Sequence, residues 1–404
     1  MIAYASQWAM ALLIWLHVIA AIAWIGESFY FVMLDNGLKP PAEPESRARG
    51  VYGEMWSVHG GGFYHAQKYL VSPARMPEEL HWSKWKSYTT WLSGFAIFTI
   101  MYLLQPGTYL LDPSVSQVAP GLGVAAALGF LVVGWIVYDL LCRAFKDRDL
   151  PLGIAIAVYV AIAAFISTHL FAPQAAFLIV GAMLGTIMSA NVFFWIIPGQ
   201  KTMVATLARG ETPDPLPGKR GKQRSVHNTY FTLPVVFAML SSHFGMLFSH
   251  PASWVYLWLV MVAGALIRQF FVLWHKGQRN FALPVAGAVL IMLVIIALAP
   301  SMMATGAVAE TGSAQGNVTQ GNVTVAQIAP IIQERCAACH SAHPTMMSSA
   351  PDGITFDTDA ELRAKAGLIE QQAVTAKAMP PGNVTHITKQ ELDEIAAWVQ
   401  GGAK

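Results

Sequence analysis

Eight apolar stretches of about 20 residues, separated by short polar connectors, occupy roughly three-quarters of this 404-residue chain. At 1.5 Å per residue a stretch of that length crosses a bilayer core of about 30 Å. The stretches fall at about 8–34, 87–111, 119–142, 151–170, 174–197, 228–249, 252–274 and 282–303. Only 12% of residues are charged, about half of what a soluble domain carries. The expected fold class is therefore all-α, with a polytopic eight-helix transmembrane domain over residues 1–303. The first stretch is expected to stay as a helix, because it is too long for a cleaved signal peptide and no Lys or Arg precedes Lys39. A balance of 25 Lys+Arg against 23 Asp+Glu gives +2, which excludes a nucleic-acid partner unless the basic residues cluster on one face, and the apolar stretches make membrane lipid the expected surroundings. Three cysteines, Cys142 in an apolar run and Cys336 and Cys339 near the C-terminus, exclude a disulfide framework.

The connectors set an orientation. Lys and Arg number seven in 35–86, three in 143–150, six in 198–227 and two in 275–281, while 112–118, 171–173 and 250–251 hold none. The positive-inside rule places the basic connectors in the cytoplasm. Eight crossings then leave both termini on the exported side.

Residues 304–323 carry the tandem repeat QGNVT-QGNV and no Leu, Ile, Phe or Trp. They read as a flexible linker with a reach of roughly 25 Å. Residues 324–404 have ordinary soluble composition and form an expected second, exported domain. Cys336-Ala337-Ala338-Cys339-His340 is the C-x-x-C-H arrangement in which two thiols attach haem c covalently and the adjacent imidazole ligates iron. No second cysteine pair exists to make a zinc site. Met379, in a proline-stiffened loop, is the expected sixth ligand. Met346 and Met347 lie too near His340 to pass round the macrocycle. A thioether ligand raises the reduction potential, which suits an electron acceptor. Val325, Ile328, Ile331 and Ile332 lead into the haem motif, and Thr388-x-x-Glu391 is a capping box before Leu392, Ile395, Trp398 and Val399. A small class I cytochrome c is expected here.

Ionisable groups inside spans are costly and point to function by default. His17, Glu27, His243 and Arg268 qualify, although Arg268 lies within two turns of the cytoplasmic end and can equally snorkel to water. On the first helix His17, Trp24, Ser28 and Asp35 point within about 20° of one another. That face would admit a flat macrocycle, and a core histidine bonded to a neighbouring helix has the same sequence appearance. His17 and His243 both sit roughly 6–7 Å outside the middle of their spans. Equal depth permits one bis-imidazole haem b, with His169, at the exported end of the fourth span, as substitute ligand. The connector 35–86 contains Trp56-Ser57-Val58-His59-Gly60-Gly61-Gly62-Phe63-Tyr64-His65-Ala66-Gln67-Lys68-Tyr69. Its glycines would let backbone approach a ligand among aromatics, imidazoles and a lysine. The other reading is an interfacial amphipathic segment with an aromatic belt. His227, Asn228 and Tyr230 open the sixth span on the same face.

With these residues laid out, the chain resembles the bacterial membrane-bound urate oxidases, or urate hydroxylases, of the PuuD type, which fuse an eight-span domain through a linker to a cytochrome c. The resemblance covers essentially the whole chain. It rests on the order of parts and on VHGGGFYHAQKYL from Val58, LHW from Leu80 and HNTYFTLPV from His227. It implies oxidation of urate to 5-hydroxyisourate in the bacterial inner membrane. Electrons would pass to the fused haem instead of directly to dioxygen, and then to a soluble cytochrome c or terminal oxidase. Urate is a flat, electron-rich monoanion, so its pocket needs aromatic stacking, edge partners and a cation. On this reading His59 or His65 is the expected general base. Tyr64, Lys68 and His227 complete the expected catalytic set, and Gly60, Gly61, Gly62 and Asn228 line the substrate. A b/c-type conduit oxidising a quinol or another metabolite would use the same haems with a different pocket. A transporter would need an internal repeat, and none is found.

Overall fold

The computed structural model describes residues 2–70, 72–73, 76–113, 115–248, 250–299, 323–346, 350–375 and 378–404. The chain is mostly helical. Helix α1 (Ile2–Gly37) is followed by the short α2 (Pro44–Ala48), and after the 51–69 segment comes α3 (Trp85–Phe98). The long apolar runs continue with α4 (Pro120–Phe145), α5 (Asp149–Leu170) and α6 (Pro173–Ala190). A π-helical segment, Asn191–Ile196, joins α6 to α7 (Ile197–Ala208). Then follow α8 (Pro215–Leu240), the short α9 (Gly245–Phe248), α10 (Ser253–His275) and α11 (Ala282–Ala297).

Five of the helices expected from the apolar pattern are long and apolar enough to cross a membrane: Trp8–Gly37, Pro120–Phe145, Asp149–Leu170, Pro173–Ala208 and Ser253–His275. Helix α11 is a shorter apolar helix. The stretches expected at 87–111 and 228–249 run through interrupted helix. After Phe98 the first becomes π-helical over Thr99–Leu103 and again over Pro106–Leu110, since Pro106 breaks the ladder between them. The second lies on α8, whose first turns are basic and proline-rich, and continues as the 3-10 turn Ser241–His243 and α9.

The expectation of an all-α chain is corrected at the 51–69 segment. Strands β1 (Val51–His59) and β2 (Gly62–Tyr69) form an antiparallel hairpin in which His59 pairs with Gly62. Gly60 and Gly61 make the two-residue turn, both at positive φ (58° and 80°), the geometry that suits the right-handed twist of the strands. Alternating Tyr52, Trp56, Val58 and Phe63, Tyr64 supply the aromatic and β-branched residues that a pleated surface favours. The segment that could be read as a ligand-approaching stretch or an interfacial amphipathic one is thus a hairpin, with Trp56, Val58, Phe63 and Tyr64 exposed.

Helix α6 is the hub of the bundle. Its Ala175, Ala176, Phe177, Ile179, Val180 and Met183 are fully buried. Small residues let neighbours approach it: a Cβ on Gly134 of α4 would lie 2.5 Å from Met183, and one on Gly181 would lie 2.7 Å from Ala238 of α8. Gly264 of α10 receives Leu233 and Pro234 of α8 in the same way. Helix α1 sits at the rim, where Trp8, Leu12, Trp15, Ile19 and Ile22 are exposed.

The C-terminal region has a core of its own. Helices α12 (Val325–Arg335), α13 (Asp359–Ala364), α14 (Ala366–Ile369) and α15 (Lys389–Gln400) enclose Ile328, Ile332, Phe356, Leu362, Ile395 and Trp398. Thr388 and Glu391 form the capping box at the start of α15. Most of the 304–323 linker lies outside the described residues. Ala378 and Pro381 border a small cleft with Tyr109, Asp112, Pro173 and Phe248. That is the end of the bundle whose connectors carry no Lys or Arg.

Candidate functional site

Three elements converge on one buried polar cluster. Helix α8 carries Arg224, His227 and Asn228 within about 100° of arc at 100° per residue. Helix α4 brings Tyr138, Asp139 and Cys142, and the π-helical segment brings Asn191 and Trp195. Segments of π-helix inside α-helices recur at functional sites because they re-aim side chains. The Asn191 amide nitrogen donates to the Tyr138 hydroxyl oxygen and to Asn228 Oδ1, both at 3.0 Å. Asn228 Nδ2 in turn donates to the Met188 carbonyl at 3.0 Å. With Asn191 donating to the phenol oxygen, the Tyr138 O–H is turned to His227 Nδ1, 2.8 Å away. This assigns the His227 proton to Nε2 and leaves Nδ1 as acceptor. Arg224 Nη2 donates to Asp139 Oδ1 at 2.7 Å, and Arg143 Nε to Asp139 Oδ2 at 2.6 Å. Arg143, Arg220 and Arg224 lie over the Trp195 ring, 5.2, 5.8 and 5.2 Å from its centre. Three guanidinium groups gather over Trp195 and two of them share the Asp139 carboxylate, so the locality carries an excess of positive charge and favours an anion.

The cluster is also unfinished. Trp135 Nε1, Trp195 Nε1, Asn191 Oδ1 and Arg224 Nε and Nη1 are buried without a hydrogen-bond partner among the described residues. Buried polar atoms are rarely left so, because each costs about 1–3 kcal/mol. The only other orphans among the described residues are Nε and Nη2 of Arg268.

Of the residues expected at a substrate site, His227 and Asn228 lie in this cluster, and the hairpin residues lie elsewhere. His59, Gly60, Gly61 and Gly62 form the hairpin tip, and a Cβ at Gly60 or Gly61 would meet nothing within 4 Å. Tyr64 is exposed. His65 stacks on Trp56 at 4.0 Å between ring centres and hydrogen-bonds Glu54 Oε2 at 3.0 Å. Lys68 pairs with Asp35 of α1 on the wall of a groove of about 500 Å³ lined by α1, β2 and α7. Asp35 also stands 3.9 Å from Lys222, near the start of α8.

The histidines expected around a haem b are each engaged differently. His17 Nδ1 donates to the Thr90 carbonyl of α3 at 2.9 Å, with Ser93 Oγ 3.1 Å away. Its ring lies in the notch left by Gly94, where a Cβ would come within 2.7 Å. This is the bond to a neighbouring helix that its sequence equally allowed, and it leaves Nε2 as the remaining ring nitrogen. His169 lies over Phe165 of its own helix and bonds that residue's carbonyl at 2.7 Å. The side chain of His243 lies outside the described residues. Glu27 pairs with Lys86 at 3.0 Å and accepts from Ser83.

In the C-terminal region, Cys336 and Cys339 are free thiols on the turn after α12. Burial pushes the Cys336 thiol up to about 12, with Cys339 and Glu391 adding to the shift, and burial also raises Cys339. His340 Nδ1 donates to the Ile354 carbonyl at 3.0 Å, which orients the ring and leaves Nε2 free, the usual support of a metal-bound imidazole. The Met379 N–H donates to the Gln372 carbonyl at 3.1 Å, and its side chain is exposed. Met346 is also exposed, and Met347 lies outside the described residues. Neutral thiols and a pre-oriented imidazole fit a covalent haem.

Sequence reasoning passed over Tyr138, Asp139, Asn191 and Arg224. Asp139, a carboxylate inside an apolar span with Arg143 four residues on, was the available signal.

Fold and site together define a multi-pass type of helical bundle with an anion-favouring polar site in its interior. The chain belongs to the urate oxidase N-terminal family, whose model matches residues 3–299 and so contains the whole cluster. Membership places it with the oxidoreductases of urate. No curated protein and no solved structure matches it.

Proposed function

We propose that this chain oxidises urate to 5-hydroxyisourate and delivers the electrons to a haem c held by its own C-terminal region. The observation that carries the reading is the group of five orphaned polar atoms around Arg224, Asn191 and Trp195, inside the family-matched segment. Arg224 and its neighbouring guanidinium groups hold the monoanion, Asn191 and Asn228 address its amide edges, and Trp195 offers an aromatic face.

Oxidation of the urate monoanion releases two electrons and one proton, and addition of water to the oxidised purine gives the neutral 5-hydroxy product. Tyr138 and His227 are placed to take that proton in relay: the substrate proton passes to the phenol oxygen as the phenol proton passes to His227 Nδ1. Asn191 holds the phenol during the exchange. Cys336, Cys339, His340 and Met379 would hold the haem, which when bound supplies a one-electron acceptor, so the two electrons leave in succession. The site lies toward the basic end of the bundle and the C-terminal region at the other. His17, whose Nδ1 is bonded to α3, would hold an intermediate haem b through its other ring nitrogen, and that group would supply an electron relay between the site and the C-terminal region. The reading sets the protein in the bacterial inner membrane with both termini and the haem c exported, and a soluble cytochrome c or terminal oxidase as the next acceptor.

The test is steady-state urate oxidation by the full chain in membranes. Arg224→Gln is expected to raise KM for urate at least tenfold, a loss of about 1.4 kcal/mol of binding, with haem content unchanged. Wild-type KM in Arg224→Gln and in Asn228→Ala together would overturn the site.

A further inference from the structure

We infer that Arg268 is the recognition point of a second anion site, held by α10 and α1 and separate from the cluster above. Arg268 is 4% exposed, on α10, with its guanidinium 4.0 Å from the centre of the Phe29 ring of α1. Beside it Tyr230 of α8 donates to Gln269, the residue after Arg268. Ser28, the residue before Phe29, bonds Thr229 of α8 at 3.3 Å. The first cluster is built from α4, α8 and the π-helical segment, so the two guanidinium groups stand on different helices with different partners. Snorkelling, the alternative that the sequence left open, does not occur, since the charged head is itself buried.

No carboxylate forms an ion pair with Arg268 among the described residues. Its Nε and Nη2 have no hydrogen-bond partner. These two N–H groups share one edge of the guanidinium plane and point the same way, the fork that receives two coplanar acceptor atoms. Arg224 differs, since its Nη2 is already taken by Asp139. An unpaired cation inside an apolar bundle is costly, and the face of Phe29 offsets only part of that cost. The chemistry that completes the site is a planar monoanion with two adjacent acceptors. A carboxylate, bicarbonate or the acidic edge of a purine anion each meets that description.

The experiment is thermal unfolding of the purified full chain with acetate or bicarbonate as probe, and with urate as probe only in the chemically reduced Arg224→Gln background, where urate is not consumed and the first cluster is disabled. A ligand that binds only the native state raises Tm with concentration. At least one probe is expected to raise Tm, Arg268→Met to abolish that gain in the same background, and Arg224→Gln alone to leave an acetate or bicarbonate gain intact. The probe that acts identifies the source, acetate or bicarbonate for a small oxoanion and urate alone for a purine. Arg268→Lys keeps the charge without the fork and is expected to bind at least about tenfold more weakly, the cost of one charge-assisted hydrogen bond. Equal stabilisation with and without Arg268→Met, no stabilisation by any probe, or full affinity in Arg268→Lys would each overturn the site. Loss of the gain in Arg224→Gln but not in Arg268→Met would assign the anion to the first cluster instead.

Discussion

Replacing His227 with Gln keeps a polar side chain beside Tyr138 but removes the proton acceptor. If the pair works as a relay, kcat for urate should fall about 10²- to 10⁴-fold, the usual contribution of a positioned base, with KM and haem content near wild type. Steady-state kinetics in membranes checks this, and unchanged kcat would remove His227 from the mechanism. His65, expected from sequence as a base, has a structural task instead. Its ring is bonded to Glu54, whose carboxyl also accepts the Ala42 N–H at 2.9 Å. The Ala42 bond, with His65 adding to it, holds Glu54 below its ordinary range. A lowered folded-state pKa gives stability that is fully present above the unfolded carboxylate pKa and is lost as pH falls through the folded one. The protection of the hairpin amides, taken relative to their intrinsic exchange rate at each pH, should therefore fall under acid conditions in wild type. In Glu54→Gln it should be low already at neutral pH and show little further change.

At the scale of elements, the hairpin and α8 carry opposite lessons. Gly61 sits at φ 80° with open space around it, so Gly61→Val should strain the turn by about 1–2 kcal/mol and expose the tip to limited proteolysis. Urate oxidation should stay at the wild-type rate, because the glycines serve the turn. The strands around Gly60 and Gly61 were missed from sequence, because three glycines among histidines read as a ligand-approaching segment, and only the register of pairing shows that they make a turn. The apolar runs were legible because burial in lipid forces them into the composition. The polar cluster was legible only at His227 and Asn228, because Tyr138, Asn191 and Arg224 meet only through the packing of α4, α8 and the π-helical segment that follows α6. That packing rests on small residues whose partners no local pattern reveals. Helix α8 is where this matters most, since it presents a different polar set on each of two faces. Its seat on α10 is tight at Gly264, where a Cβ would lie 3.1 Å from Leu233. Gly264→Leu should overpack that contact and cost about 1–3 kcal/mol, seen as a lower Tm.

For the whole molecule, the buried polar cluster lies toward the basic end of the bundle and the C-terminal region against the end whose connectors carry no Lys or Arg. The contact of Ala378 and Pro381 with Tyr109 and Phe248 places the Met379 loop against the bundle. Met379→Ala should leave haem attached through Cys336 and Cys339 and abolish the long-wavelength Met-to-iron absorption band. An unchanged band would pass the ligand role to another methionine such as Met346. The most direct test of the whole is an anaerobic titration of the oxidised full-length protein with urate, following the c-type haem spectrum and the purine product together. The account predicts haem reduction without dioxygen, two electrons stored for each urate converted to 5-hydroxyisourate, and loss of both signals in His227→Gln. A haem that stays oxidised until dioxygen is admitted, with hydrogen peroxide formed in proportion to urate, would contradict it.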